Sequence, residues 1–332
     1  MSISSKCYRS LMIFSLIFLI IISFLSIFSG QQKISISEVF KVLSGRDVDG
    51  INYLIIKKIR IPRIMASLIV GAALSISGAV LQGIFDNPLS SPYLLGISNG
   101  AGFTASIAII FGFSGIYLQI FSFFGGIIAA ILAIIFSYFF KSKGSISIII
   151  SGILIGNFFA ALTMYLKLIA DPLAKLPSIV YWLMGSFVNV TQNSIVIPLL
   201  LIAFSIIILM ILSWKLNILS FGDIHAKSLG ENPVLFKIIV LLFTTIATSA
   251  AISISGIIGW IGVVIPQLAK IKTSNDFRKL LPISTIWGAA FTCFVDSIAR
   301  IFLRYELPAG LVSSIIGIPF AAFILSRNKN NF

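Results

Sequence analysis

The sequence predicts an all-α polytopic membrane protein with about ten transmembrane helices. Three observations lead there. The 332 residues are 58% hydrophobic and only 10% charged, where a soluble domain carries roughly a quarter of its residues as charges. Mean hydropathy is +1.09, and several stretches exceed the roughly 18 apolar residues that mark a membrane-spanning helix. No segment alternates polar and apolar residues as a barrel strand would.

Charges and Pro/Gly clusters set the elements in order. Residues 11–29, behind Lys6 and Arg9, form an apolar stretch too long for a signal core and without a small-x-small cleavage site, so an uncleaved first helix is expected. After "KKIRIPR", residues 64–85 make the second span. The charge-free run 87–140 would be about 80 Å long as one helix, against a bilayer core of about 30 Å. It must fold back, and Gly112–Gly115 marks the turn between spans at 92–111 and 116–140. "KSKG" at 141–144 precedes a fifth span at 145–166. Pro177 opens a short helix, "NVTQN" breaks it, and further spans follow at 194–214, 234–254, 256–270 (short and glycine-broken), 282–303 and 308–326. All belong to one domain, 1–332.

An even number of spans puts both termini on one side. With the termini cytoplasmic, "KSKG", "KLNILSFGDIHAKSLGENP", "KIKTSNDFRK" and the tail "SRNKNNF" satisfy the positive-inside rule. Residues 30–63 strain it, because an external segment there carries seven Lys and Arg. The formal net charge of +14 does not point to nucleic acid, since the cations are scattered singly between apolar runs. They suit topology and contact with membrane lipid.

A catalytic reading has little to stand on. His225 is the only histidine, and Cys7 and Cys293 lie far apart. No G-x-x-x-x-G-K-[ST] loop is present, so any nucleotide chemistry belongs to another polypeptide. Asp296 and Arg300 stand four apart near the end of the ninth span, as an i,i+4 pair or as an arginine reaching a partner at the outer surface. Gly71, Ser75 and Ala79, like Gly152 and Gly156, form small faces for close helix packing. "GAA" occurs at both 71–73 and 288–290.

Two segments read as specialised. In "FDNPLSSPYLLGISNGAG" (85–102), Asn87-Pro88 and Ser91-Pro92 end one helix and start the next, while Gly96, Asn99 and Gly100 permit close approach. Such backbone is tolerated at membrane depth only where protein or a cavity covers it. In "NILSFGDIHAKSLGENP" (217–233), Asp223 is the expected N-cap, Gly230 the residue after the C-terminus, and Pro233 the opening of the next helix. The intervening helix, 224–229, is too short to stand alone in water and must dock on something.

Taken together, "RIPR", "GAALSISGAVLQGIFDNPLSSPYLLGISNGAG", "LPSIVYWLMGS", "GDIHAKSLG", "SGIIGWIGVVIPQLAK", "DSIAR" and "ELPAGLVSSIIGIPF" resemble the FecCD-type permease subunit of binding-protein-dependent ABC importers for iron–siderophore, haem and vitamin B12. The resemblance covers nearly the whole chain. It implies the type II importer architecture in the cytoplasmic membrane, a second copy of the chain with a path along the subunit interface, two cytoplasmic ATPase subunits that carry ATP and Mg, and an external substrate-binding protein. No cofactor is expected on this chain. Gly222, Asp223, His225, Ala226, Leu229 and Gly230 then fall on the ATPase-coupling segment. Arg60, Arg63 and Arg300 fall where relatives meet acidic residues of the binding protein, which would explain the basic external segment. Gln267 and Lys270 replace the usual His and Arg, a departure that touches the ATPase contact. An ion-coupled transporter lacks its buried relay here, and a membrane enzyme lacks a catalytic constellation. An oxyanion such as molybdate remains an alternative cargo.

Overall fold

The computed structural model describes residues 4–32, 34–45, 50–140, 145–301 and 306–327. "KSKG" at 141–144 and the tail beyond residue 327 lie outside the described residues. Fourteen helices and one 3₁₀ turn are described, with no strand among these residues. They are α1 (Ser5–Phe28), α2 (Ile36–Leu43), α3 (Ile51–Ile84), α4 (Ile97–Ile110), α5 (Gly115–Ser137), α6 (Ser145–Ile169), α7 (Lys175–Leu183), α8 (Gln192–Ile211), α9 (Ser213–Leu219), α10 (Asp223–Ser228), α11 (Pro233–Ser255), α12 (Ile261–Thr273), α13 (Phe277–Ile301) and α14 (Ala309–Arg327).

Seven of them, α1, α3, α5, α6, α8, α11 and α13, are long and apolar enough to cross a membrane by themselves. Two of the other three expected spans are shorter, and each has a reason. Span 92–111 is divided: Pro92–Leu95 is a 3₁₀ turn, and Gly96 at φ +74° separates it from α4. Span 256–270 starts late, because residues 256–260 are not helical and α12 holds only 13 residues. At 1.5 Å per residue that is about 20 Å, and the stretch before it, 256–260, is covered by protein, with Gly256 and Ile258 buried and the other three half-buried. The third is α14, 19 residues over Ala309–Arg327.

Local chemistry places the helix ends. A capping box pairs Ser35 with Glu38 at α2, and Thr191 pairs with Ser194 at α8. Asn232 caps α11 through its Oδ1, ahead of Pro233. α3 begins 13 residues before the expected span, as an α turn followed by a π segment at Leu54–Arg60. Pro62 has no N–H to return to the carbonyl of Lys58, and its ring crowds that carbonyl. Widening to an i→i+5 turn, seen in the bond from Ile61 N–H to Ile56 O, carries the helix past the defect.

α3 is the central post. Its most apolar window is 83% buried, against 11% for α1, so α1 is left to face lipid. α3 packs on α13, α11 and α12, while α4 packs on α5 and α6. Glycines set these distances. A Cβ on Gly71 would sit 2.2 Å from Gly288 O, and one on Gly288 would sit 2.4 Å from Gly71 O. The two "GAA" segments therefore face one another across α3 and α13. Ser75 adds a hydrogen bond to Ser284 O at 2.8 Å. Gly100 meets Gly125 O, and Gly152 meets Leu94 O, with equal intimacy.

Candidate functional site

Functional features gather at three levels of the bundle. At one end, the links around α10 project away from the helices. Gly222 (φ +96°), not Asp223, holds the N-cap position, and it makes no side-chain capping bond. Asp223 is instead the first helical residue, and its carboxylate reaches Lys237 Nζ on α11 at 2.7 Å. The exit is a Schellman motif: Gly230 N–H donates to Lys227 O and Glu231 N–H to Ala226 O, both at 3.0 Å. Gly230 has φ +82°. Ala226 is fully buried, yet Phe221, Ile224 and Leu229 are 73%, 84% and 68% exposed. His225 is exposed as well. Close by, Asn217 ties α9 to α13 by donating to Asp276 and accepting from Phe277 N–H. Burial pushes the Asp276 carboxyl upward, but bonds from Arg278 and Asn217 outweigh it and hold the pKa below the ordinary value.

At mid-depth, helix α11 ends at Gly256 and α12 begins at Ile261, with Trp260 at φ +70° between them. That conformation is costly for a bulky residue, and several carbonyls freed around it find donors from other elements. Tyr93 OH donates to Ile258 O, Ser313 to Gly259 O at 3.2 Å, and Ser186 N–H to Ser255 O at 2.7 Å. Pro266 leaves Gly262 O without its helical donor. Gln82 Nε2 fills the gap at 3.1 Å, and Gln267 in turn donates to Gln82 Oε1 at 2.6 Å. Gln267 also reaches Pro88 O at 3.4 Å, so it joins α3, α12 and the 86–92 turn. In that turn Asn87 Oδ1 accepts from Leu89 N–H, and Ser90, Ser91 and Pro92 are buried. Further along, Asn99 donates to Gly156 O at 2.9 Å. A cavity of about 590 Å³ opens beside the break, walled by Tyr93, Met184, Ile257, Trp260, Leu311 and Ser314.

At the opposite end, a cavity of about 890 Å³ lies under α7, with Lys175, Ser178, Tyr181, Ser186, Asn189 and Ser253 in its wall. The three arginines expected as free docking charges are also at this end. They are not free surface charges: Arg60, Arg63 and Arg300 are each only 4% exposed. Arg63 makes a fork on Asp296, with Nε–Oδ1 at 3.0 Å and Nη2–Oδ1 at 2.8 Å, and its Nη1 meets Glu306 at 2.6 Å. Arg300 shares Asp296 at 3.2 Å in the i,i+4 geometry and turns its other nitrogens to Ser26 and Ser29. Arg60 donates to the carbonyls of Ile27 and Gln32. The orphan carbonyls that end α1 are thus satisfied by arginines from α3 and α13. Exposed cations on this face include Lys41 and Lys58.

Sequence reasoning missed Gln82, Glu306 and the Arg63–Asp296 fork. Pro266 was a usable signal for the first, since a proline inside a helix announces a carbonyl that needs another donor. The fork spans 233 residues and leaves no local trace.

The profile of the FecCD transport family matches residues 18–327. The chain is 34% identical over 320 residues to the molybdate import system permease protein MolB of Haemophilus influenzae, covering 94% of each chain. It is 38% identical over 276 residues to a protein of Helicobacter pylori named as a probable iron chelatin transport system permease, covering 83% of each. A solved chain, described as part of a metal-chelate type ABC transporter in an inward-facing conformation, superposes with a TM-score of 0.87 at 32% identity, covering 96% of this chain and 99% of that one.

Proposed function

The chain belongs to the FecCD transport family, and from that premise we propose that it is the membrane permease of an ATP-driven importer for a metal chelate of the iron–siderophore, haem or cobalamin class. The permease is a multi-pass transport component. Two copies form the working unit, with the path along their interface and the cavity beside Trp260 in its wall. Both termini are cytoplasmic. Two ATPase subunits bind beneath, bringing ATP and Mg, and a substrate-binding protein docks at the outer end and selects the cargo. The similarity to MolB favours one second reading, in which the cargo is an oxyanion.

The observation that carries the proposal is α10. Ile224 on this short helix, and Phe221 and Leu229 flanking it, stay out of the core, although the helix ends are fixed by an ion pair and a Schellman exit. Exposed apolar side chains on so short a helix serve a partner surface. Ile224→Asp should abolish co-purification with the ATPase subunits and leave the thermal stability of the permease within about 0.5 kcal/mol. Retention of the ATPase by this variant, or saturable ATP hydrolysis by the purified permease alone, would sink the reading.

A further inference from the structure

The buried arginine cluster contains one contact that can be exchanged from outside. Asp296 has no exposed surface and closes the Nε–Nη2 edge of Arg63. Glu306, on Nη1 of the same guanidinium, is 32% exposed. Among the described residues, three guanidinium groups here face these two carboxylates, an excess of positive charge.

Glu306 also begins the link into α14. Leu307 N–H bonds Ala299 O at 3.1 Å, and three residues later Gly310 N–H bonds Gly185 O at 3.2 Å. Gly310 is seated so tightly that a Cβ there would lie 2.2 Å from Met184 O and 2.6 Å from Ile257 O. Gly310, Met184 and Ile257 all belong to the wall of the mid-depth cavity. A solvent-reached carboxylate and the wall of the path are therefore only four positions apart in the chain.

We propose that Glu306 is a placeholder: a carboxylate of an acidic docking protein replaces it on Nη1 of Arg63, and the released Glu306 unseats the link to Gly310. The inference rests on the reading that an external protein docks on this face. Exchange suits the energetics. Arg63 passes from one charge-assisted bond to another, and no buried guanidinium is left unpaired, which would be costly. With the Arg63 side chain only 5% exposed, the incoming group must be on a long side chain, glutamate in preference to aspartate. Asp296 cannot be exchanged in this way, because water does not reach it.

The test uses Glu306→Gln, which keeps the shape and removes the charge, and a reporter thiol at Leu307 in a Cys7→Ser background. Association of the importer's own binding protein with vesicle-inserted permease is measured at fixed salt, with thiol labelling from outside. Glu306→Gln should tighten docking by about tenfold, seen as slower dissociation, and should speed labelling at position 307 before any partner is added. With Glu306 intact, labelling should accelerate only on docking. Unchanged or weaker docking by Glu306→Gln overturns the placeholder, as does labelling at 307 that ignores docking. Should Glu306→Gln not fold, the labelling change on docking with Glu306 intact decides alone. If the unsubstituted permease docks no binding protein, the docking reading falls and takes the placeholder with it; docking without these differences removes the placeholder only.

Discussion

The two ends of the bundle use their unusual residues in opposite ways. At the end proposed to face outward, the outer end below, charges are turned inward: Arg60, Arg63 and Arg300 are spent on Asp296, Glu306 and carbonyls at the end of α1. At the end proposed to face inward, the inner end below, apolar groups are turned outward, with Ile224 on α10 and Phe221 and Leu229 flanking it, and α10 is tied to α11 by the Asp223–Lys237 ion pair. A charge inside and a hydrophobe outside are each expensive in isolation. The first is compensated within the chain, so the arginines are structural staples in the free permease. The second has no compensation within the chain, so it implies another molecule.

The largest effect should come from breaking the outer staple. Asp296→Ala leaves two buried guanidinium groups short of their carboxylate, and such an orphaned charge typically costs about 3–5 kcal/mol. Asp223→Ala at the inner end removes a pair whose acid is 51% exposed, and should cost under about 1 kcal/mol. Unfolding of the two variants in one detergent measures the contrast. Equal losses would erase the distinction between staple and docking site.

A middle-sized effect should follow at the inner end without loss of fold. Gly230 sits at φ +82° with nothing within 4 Å of a would-be Cβ. Substitution there is opposed by backbone strain alone, at about 1–2 kcal/mol for an L-residue. Gly230→Val should redirect the exit of α10 and uncouple transport, while Gly230→Asn, which tolerates this backbone, should recover much of it. Substrate-stimulated ATP hydrolysis in reconstituted vesicles is the readout. Normal stimulation in the valine variant would show that the exit geometry carries nothing.

This contrast also marks what the sequence could and could not reveal. Apolar run lengths gave ten helical segments near their true places, because lipid exposure demands long uncharged stretches. The same logic failed at residues 51–63, where lysines and Pro62 suggested loop and the chain formed a π turn continuous with α3. Span 256–270 was legible as short and glycine-broken, and its first five residues do run unwound; what the sequence did not show is their cover by Tyr93, Ser313 and Ser186. Asn87, Pro92, Gly96, Asn99 and Gly100 were legible, since turns and close approaches select residue types locally. Asp223 was misread as a cap because its true partner, Lys237, lies on the next helix. The Asp296–Arg300 pair was legible from its i,i+4 spacing, whereas the burial of Arg60 and Arg63 was not, because it depends on partners far along the chain. Gln267 was noticed as a departure, but its bond to Gln82 appears only when α3 and α12 are brought together.

The smallest effect expected is a pH dependence confined to the inner end. Asp276 accepts from Asn217 Nδ2 at 2.8 Å and from Arg278 Nε at 3.1 Å. Partial burial pushes its pKa up, yet these bonds prevail and hold it below the ordinary value, which is about 3.9 in an unfolded chain. A carboxyl depressed by folding adds stability that is fully present above the unfolded pKa and is lost as pH falls through the folded one. The Asn217–Asp276 tie should therefore be constant from neutral pH down to about 5, and should weaken only in stronger acid. The site is open to solvent, with the Arg278 side chain 56% exposed, so screening keeps the contribution small. Asp276→Asn should lower stability slightly near neutral pH and flatten the acid limb. Hydrogen exchange at the Phe277 amide, which donates to Asn217, reports this locally even where the global melt does not move. If acid opened the outer end first, with the Phe277 amide still protected, the division between staple and docking end would have to be redrawn.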